Sequence, residues 1–160
     1  MLKKSSTSFL KVVILLIGLP VLGLLLWFPQ VEGRNANSDP ISLYFNDPFL
    51  AYVYLSFVPF FVALYQAFKL LGYIEQDKVF SQVSVKALRN IKYCIVAFIG
   101  FISLIMPWIM MFAQDDDAPG VVLIPLVIIF ASAVIATAVA VAQRLLQKAV
   151  DLKSENDLTV

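Results

Sequence analysis

The side chains that most enzymes use for chemistry are nearly absent from this sequence. It has no histidine and one cysteine, Cys94. Histidine supplies many general bases and metal ligands, and one cysteine makes neither an internal disulfide nor a multi-cysteine metal site. The run Asp115-Asp116-Asp117 has the oxygens that Mg²⁺ and Ca²⁺ prefer, but it lacks the ligand spacing and turn glycine of a calcium loop. We interpret it as a solvated acidic turn, and we expect no enzyme activity, no metal and no cofactor.

The composition indicates a membrane protein. Hydrophobic residues make up 61% of the chain and charged residues 14%, against about 45–50% and about 25% in soluble domains. The net charge of +1 gives no strong field for binding nucleic acid. Four apolar stretches are long enough to cross about 30 Å of hydrocarbon as helices. They cover residues 9–28, 48–71, 93–113 and 119–143. We therefore predict one all-α membrane domain over residues 1–160.

The first apolar stretch has two interpretations. Lys3 and Lys4 before it, with Val31-Glu32-Gly33 after it, loosely resemble the basic start and cleavage site of a signal peptide. The apolar region of a signal peptide is about 7–15 residues long, whereas this stretch has 20. Its length favours a retained transmembrane helix.

The positions of the basic residues predict an orientation. Lysine and arginine concentrate in cytoplasmic loops, and eleven of the twelve in this chain lie on one side of the predicted spans. The other side carries Arg34 alone. We therefore expect both termini and the loop between the second and third spans to face the cytoplasm. The eleven are Lys3, Lys4, Lys11, Lys69, Lys78, Lys86, Arg89, Lys92, Arg144, Lys148 and Lys153.

The spans contain few polar groups. Lys11 and Lys69 are the charged residues within them, and each lies near one end of its span, so a proton relay or ion-coupled pump is not indicated. Their hydroxyl groups are expected to bond the carbonyl four residues earlier in the same helix. Each span holds one proline in its interior, beyond its first residue. These prolines are either ordinary features of membrane helices or kinks that open a vestibule in the outer half of the bundle. These prolines are Pro20, Pro59, Pro107 and Pro125.

Small residues recur in the fourth span. Ser132, Ala136 and Ala140 repeat at a spacing of four, which places them on one helix face. Small side chains let helix backbones approach closely in lipid. We predict that this helix is the centre of the bundle. A homodimer face, and so a homo-oligomer, is the alternative.

Two amphipathic segments are predicted on the cytoplasmic side. An elbow helix at about 81–92 begins with Ser81 as its N-cap and Phe80 stapled against Val85, and carries an apolar face through Val83 and Ile91. The fourth helix extends beyond the membrane from residue 144. The tail after residue 153 has no helical period, and we expect residues 157–160 to be extended.

The chain resembles a known family in these two segments. Its ending, a hydrophobic and basic helix followed by Glu155-Asn156-Asp157-Leu158-Thr159-Val160, is similar to that of the YoaS-type bacterial membrane proteins, a domain of unknown function. Phe80 and the sequence Leu88-Arg89-Asn90-Ile91 match that family's pattern before the third span. Asp77 departs from it, because the pattern has glycine there. The resemblance implies four transmembrane helices, a bacterial plasma membrane and genes close to that of a small helix-turn-helix regulator.

These features lead to a hypothesis about function. We expect a non-enzymatic membrane anchor or sensor whose partners are the lipid bilayer and a cytoplasmic helix-turn-helix regulator, with no direct contact to nucleic acid. In one alternative the tail latches onto the elbow helix near Lys86 and Arg89, and in another the chain is a small transporter or channel-like subunit. The predicted docking residues are Phe80, Leu88, Arg89, Glu155, Asp157, Leu158 and Val160.

Overall fold

A computed structural model describes residues 2–31, 48–115 and 117–159 of the chain. Within these ranges the chain forms four helices: α1 (Leu2–Val31), α2 (Pro48–Glu75), α3 (Gln82–Asp115) and α4 (Gly120–Leu158). All four are long and apolar enough to cross a membrane, which confirms that prediction. Val160, Asp116 and most of the loop after the first span lie outside the described residues.

The helices pack in chain order, and α3 is the central one. The extensive contacts join α1 to α2, α2 to α3 and α3 to α4. Eight residues of α3 are buried, whereas α4 has none. The prediction that the fourth helix is central is therefore wrong. Small side chains let a helix approach a neighbour closely, but they do not determine how many neighbours it has: α4 packs extensively on α3, whereas α3 packs on both α2 and α4.

Aromatic rings form much of the contact between α2 and α3. Rings from the two helices meet edge-on or tilted, the arrangements that their quadrupoles favour. The Tyr52 hydroxyl also donates a hydrogen bond to the backbone carbonyl of Phe101. This contact therefore combines close packing with a polar link between two helices. The pairs, with their centroid distances, are Phe49–Trp108 at 4.6 Å, Tyr52–Phe101 at 5.9 Å, Phe57–Phe98 at 5.3 Å and Phe60–Phe98 at 5.8 Å.

Two serine and threonine hydroxyls inside the apolar segments bond their own helix, as expected. Ser56 Oγ donates to the carbonyl of Tyr52 at 2.8 Å, and Thr137 Oγ1 donates to that of Ala133 at 2.9 Å. Each hydroxyl reaches the carbonyl four residues back, which satisfies its hydrogen in hydrocarbon. This bond suits buried Ser56 to the interior of the bundle and exposed Thr137 to its lipid-facing surface.

An aspartate closes α2 and another closes α3, each in the left-handed conformation. Asp77 has φ 58° and Asp117 has φ 53°. The amide of Lys78 donates to the carbonyl of Tyr73 at 2.8 Å, and that of Ala118 donates to Ala113 at 3.0 Å. These are the six-to-one bonds of a Schellman motif, whose left-handed position favours glycine. Glycine adopts this conformation most readily, and here Asp77 and Asp117 occupy it instead.

Two predicted boundaries need correction. Residues 82–92 are not a separate elbow helix but the first part of α3, which continues unbroken to Asp115. The tail is helical to Leu158 rather than extended over residues 157–160. No glycine or proline occurs between Gly120 and the tail except Pro125, so each added residue gains one helical hydrogen bond. The amide of Thr159, the residue directly after α4, donates to the carbonyls of Glu155 and Asn156.

The close approach of α1 to α2 generates the first prediction. A Cβ at Gly18 would lie 3.3 Å from Leu64 Cδ1, whereas a Cβ at Gly23 would meet nothing within 4 Å. Gly18→Leu should push the helices apart and lower the free energy of unfolding by about 1–3 kcal/mol. Gly23→Leu is the matched control and should change it little. Thermal unfolding in mild detergent measures both, and equal losses would contradict this packing.

Candidate functional site at the basic end of the helices

The basic end is the part of the bundle where α1 begins, α2 turns into α3 and α4 ends. Hydrogen bonds between residues of α1 and Glu75 bring the first two of these segments together. A four-residue connection makes α3 and α4 antiparallel neighbours, so α4 returns toward the start of α3. The basic end therefore gathers most of the lysine and arginine side chains of the chain.

A three-residue polar cluster joins α1 to α2 at this end. Lys11 Nζ lies 2.8 Å from Glu75 Oε2, and Thr7 Oγ1 donates to Glu75 Oε1 at 2.9 Å. The side chains of Lys11 and Glu75 are about three-quarters buried, and Thr7 is only 4% exposed. Glu75 lies beyond the apolar segment 48–71, and the hydrogen bonds from Lys11 and then Thr7 hold its pKa below the usual value. The sequence did not predict this cluster, because Thr7 and Lys11 lie 68 and 64 positions before Glu75.

The turn between α2 and α3 is organised around one carbonyl. The hydroxyls of Ser81 and Ser84 both donate to the backbone oxygen of Lys78. Ser81 directly precedes α3, and its own carbonyl accepts the amides of Ser84 and Val85. Ser84 and Val85 are fully buried, while Phe80 stays half exposed. Ser81 thus occupies the predicted N-cap position, although its hydroxyl bonds backward into the turn.

A polar pocket of about 420 Å³ opens between the end of α2 and the start of α3. Among the residues that the structure describes, its ionic lining side chains are both lysines and none is a carboxylate. Val83 and Ala87 form an apolar part of its wall. Val83, which lies on the predicted apolar face, is half exposed at this pocket. The polar lining residues are Gln66, Lys69, Tyr73, Gln82, Lys86 and Asn90.

The predicted docking residues fall into two groups. Glu155, Asp157 and Leu158 are exposed in the last turns of α4. Phe80 and Arg89 are exposed near the start of α3, while Leu88 is half buried. Within the described residues no hydrogen bond or ion pair joins the tail carboxylates to Lys86 or Arg89. The tail is therefore not latched onto α3 in this structure.

The small residues of α4 lie on its half-buried side. Ser132, Ala136 and Ala140 are all half buried, whereas the adjacent Ala133, Thr137 and Ala138 are exposed. Because α3 is the neighbour that α4 packs against extensively, these three residues lie toward α3.

The structure contains a small cavity that we compare with the vestibule expected from the proline kinks. A cavity of about 130 Å³ lies among α2, α3 and α4, with Pro125 in its wall. Its other lining groups are aliphatic or aromatic, apart from the hydroxyls of Ser56 and Tyr52. Both hydroxyls donate to helix carbonyls. The cavity therefore suits an apolar group better than a hydrated solute.

Comparison with known proteins places the chain among membrane proteins. The profile of a family described as protein of unknown function, DUF2975, matches residues 31–160 and so includes α2, α3 and α4. The chain is 49% identical over 160 residues to the uncharacterized membrane protein YoaS of Bacillus subtilis strain 168. This alignment covers 99% of the chain and 100% of the relative, and so includes α1. No solved structure matches significantly.

The Glu75 cluster generates a prediction about pH. A carboxylate whose pKa is lowered by folding stabilises the folded state above its unfolded pKa, and this contribution is lost as the pH falls through the folded pKa. Glu75→Gln should therefore melt at a lower temperature than the unmodified protein near pH 7, and the difference should shrink in acid, below about pH 4. Thermal unfolding in detergent across this range measures it.

The matched control for this measurement is Glu155→Gln, because Glu155 is exposed on α4. Its melting temperature should follow that of the unmodified protein at every pH. A difference for Glu75→Gln that stays constant on acidification would show that the charge of Glu75 does not stabilise the contact between α1 and α2.

Proposed function

This chain belongs to the DUF2975 family, as its tail and the segment before its third span indicated, and we propose that it anchors a cytoplasmic regulator at the bacterial plasma membrane. In this proposal the protein is not an enzyme, and its basic end faces the cytoplasm. The distribution of eleven of twelve basic residues supports this orientation. The bacterial source of the relative supports the membrane assignment.

The projection of α4 is the observation that carries the proposal. The apolar segment of this helix ends at residue 143, and fifteen residues follow it to Leu158. They add about 22 Å of helix beyond the hydrocarbon. Residues 151–159 are all exposed, including Leu152 at 65% and Leu158 at 84%. A projecting helix with exposed leucines is the form that a helix-in-groove partner recognises.

The charges of the tail favour a basic partner surface. Glu155 and Asp157 both precede Leu158 closely, and within the described residues neither forms an ion pair. An apolar groove that binds Leu158, with basic groups at its edge, would complement both the exposed leucine and the acidic side chains of the tail. The resemblance implies a small helix-turn-helix regulator, and such proteins carry basic surfaces for binding DNA. Binding of that surface by the tail would compete with DNA, so the membrane would hold the regulator inactive.

The proposed orientation is tested by cysteine labelling. In a Cys94→Ser background, Asp115→Cys should react with a membrane-impermeant maleimide on whole cells, because it lies at the opposite end from the basic residues. Lys78→Cys, exposed in the turn between α2 and α3, should react only after the cells are opened. The reverse labelling pattern would overturn the orientation.

The tail is tested by truncation and by one substitution. Deletion of residues 155–160 should leave expression and membrane insertion intact, since the four apolar segments precede it, but abolish retention of the regulator. Leu158→Ala should remove most of the retention, because burying a leucine stabilises a contact by about 1.5–3 kcal/mol. The measurement is copurification of the regulator from mild detergent, identified by mass spectrometry.

Ser154→Ala is the control for this substitution, since Ser154 is exposed on the same turns of α4. It should retain the regulator fully. If the truncated protein retains every partner of the full-length protein, the tail is not the docking element.

A further inference from the structure

The polar pocket between α2 and α3 lies at the depth of lipid headgroups. Lys69 and Tyr73 stand at the end of the apolar segment 48–71, and Lys86 and Asn90 come just before the segment 93–113. Both helices therefore pass from hydrocarbon into the polar region of the bilayer beside this pocket. A group bound in it would lie level with the phosphates of the surrounding lipids.

The chemistry of the lining suits an anion that bears phosphate. Lys69 and Lys86 supply two positive charges, while three carboxamides and the Tyr73 hydroxyl supply neutral donors. The nearby carboxylate of Glu75 is engaged by Lys11 and Thr7, so it leaves the charge of the pocket in place. Basic pockets between transmembrane helices are suited to anionic headgroups in this way.

An apolar groove beside the pocket favours a lipid over free phosphate. The groove lies between α1 and α2, has a volume of about 400 Å³ and is lined by aliphatic and aromatic side chains, with Tyr65 at its edge. Lys69 Nζ lies 5.6 Å from the centroid of the Tyr65 ring. The lysine of the pocket and the edge of the groove are therefore in contact. A headgroup at Lys69 thus has an apolar channel beside it for an acyl chain.

We propose that this pocket binds the phosphate of an anionic phospholipid, held by Lys69 and Lys86, with an acyl chain in the groove between α1 and α2. The bound lipid joins α1, α2 and the start of α3 at the basic end. Because the contacts are ionic and lie at the membrane surface, the site distinguishes anionic lipids from zwitterionic ones.

The test uses the full-length protein, stripped of lipid in a non-ionic detergent. Phosphatidylglycerol or phosphatidylcholine is added in mixed micelles, and native mass spectrometry counts the lipids bound per chain over a range of concentrations. We expect one phosphatidylglycerol to bind with preference over phosphatidylcholine. Lys86→Gln should weaken this binding about fivefold, and Lys69→Gln with Lys86→Gln about thirtyfold.

Matched variants separate the pocket from general surface charge. Lys78→Gln with Lys92→Gln removes two charges from the same end without touching the pocket, and should keep the preference. The double variant Lys69→Arg with Lys86→Arg keeps both positive charges and should also keep the preference for phosphatidylglycerol. Melting temperatures without lipid establish that each variant is folded.

Three results would overturn the proposal. One is equal binding of the two lipids by the unmodified protein. Another is an equal loss in the control pair and in the pocket pair. The third is displacement of phosphatidylglycerol by inorganic phosphate at the same concentration, which would make the pocket a phosphate site without a lipid chain.

Discussion

The packing of α2 against α3 is the interaction on which the rest of the bundle depends. In a bilayer the hydrophobic effect does not drive one helix onto another, so close packing and hydrogen bonds must hold the helices together. The α2–α3 contact supplies both, through interlocked rings and the bond from Tyr52 to Phe101. Because α1 packs mainly on α2 and α4 mainly on α3, loss of this contact would separate the chain into two weakly connected pairs.

The polar interactions of the bundle concentrate at its basic end. There the Lys11–Glu75 pair joins α1 to α2, and a serine-lined turn fixes the angle at which α3 leaves α2. The polar pocket lies between these same two helices. This distribution follows from the low dielectric constant of hydrocarbon, because the free-energy cost of placing an ionic group there is high and in the headgroup region it is small. A bilayer-embedded platform with a polar, basic surface at one end is the result.

The position of α4 connects this architecture with a role in binding. As an edge helix it is free to project, and its small residues need only one neighbour to pack well. Its apolar segment is held by α3, while its last turns are exposed. A central fourth helix would have its end surrounded by the other loops. The edge position therefore leaves the tail accessible from several sides.

Local features of the sequence were sufficient to predict four membrane-spanning helices and the bonds of Ser56 and Thr137. Each depends on residue type, on hydropathy along one helix or on contacts within one turn. Tertiary structure alone decided that α3 is central, that Glu75 meets Lys11 and that Lys69 and Lys86 share a pocket. These contacts join residues far apart in sequence, and helical periodicity does not specify which neighbour a face will meet. The conformation of the tail was also not predictable from hydropathy. Its sequence has no apolar period, yet the helix continues from α4 to Leu158 because no residue interrupts the backbone hydrogen bonds.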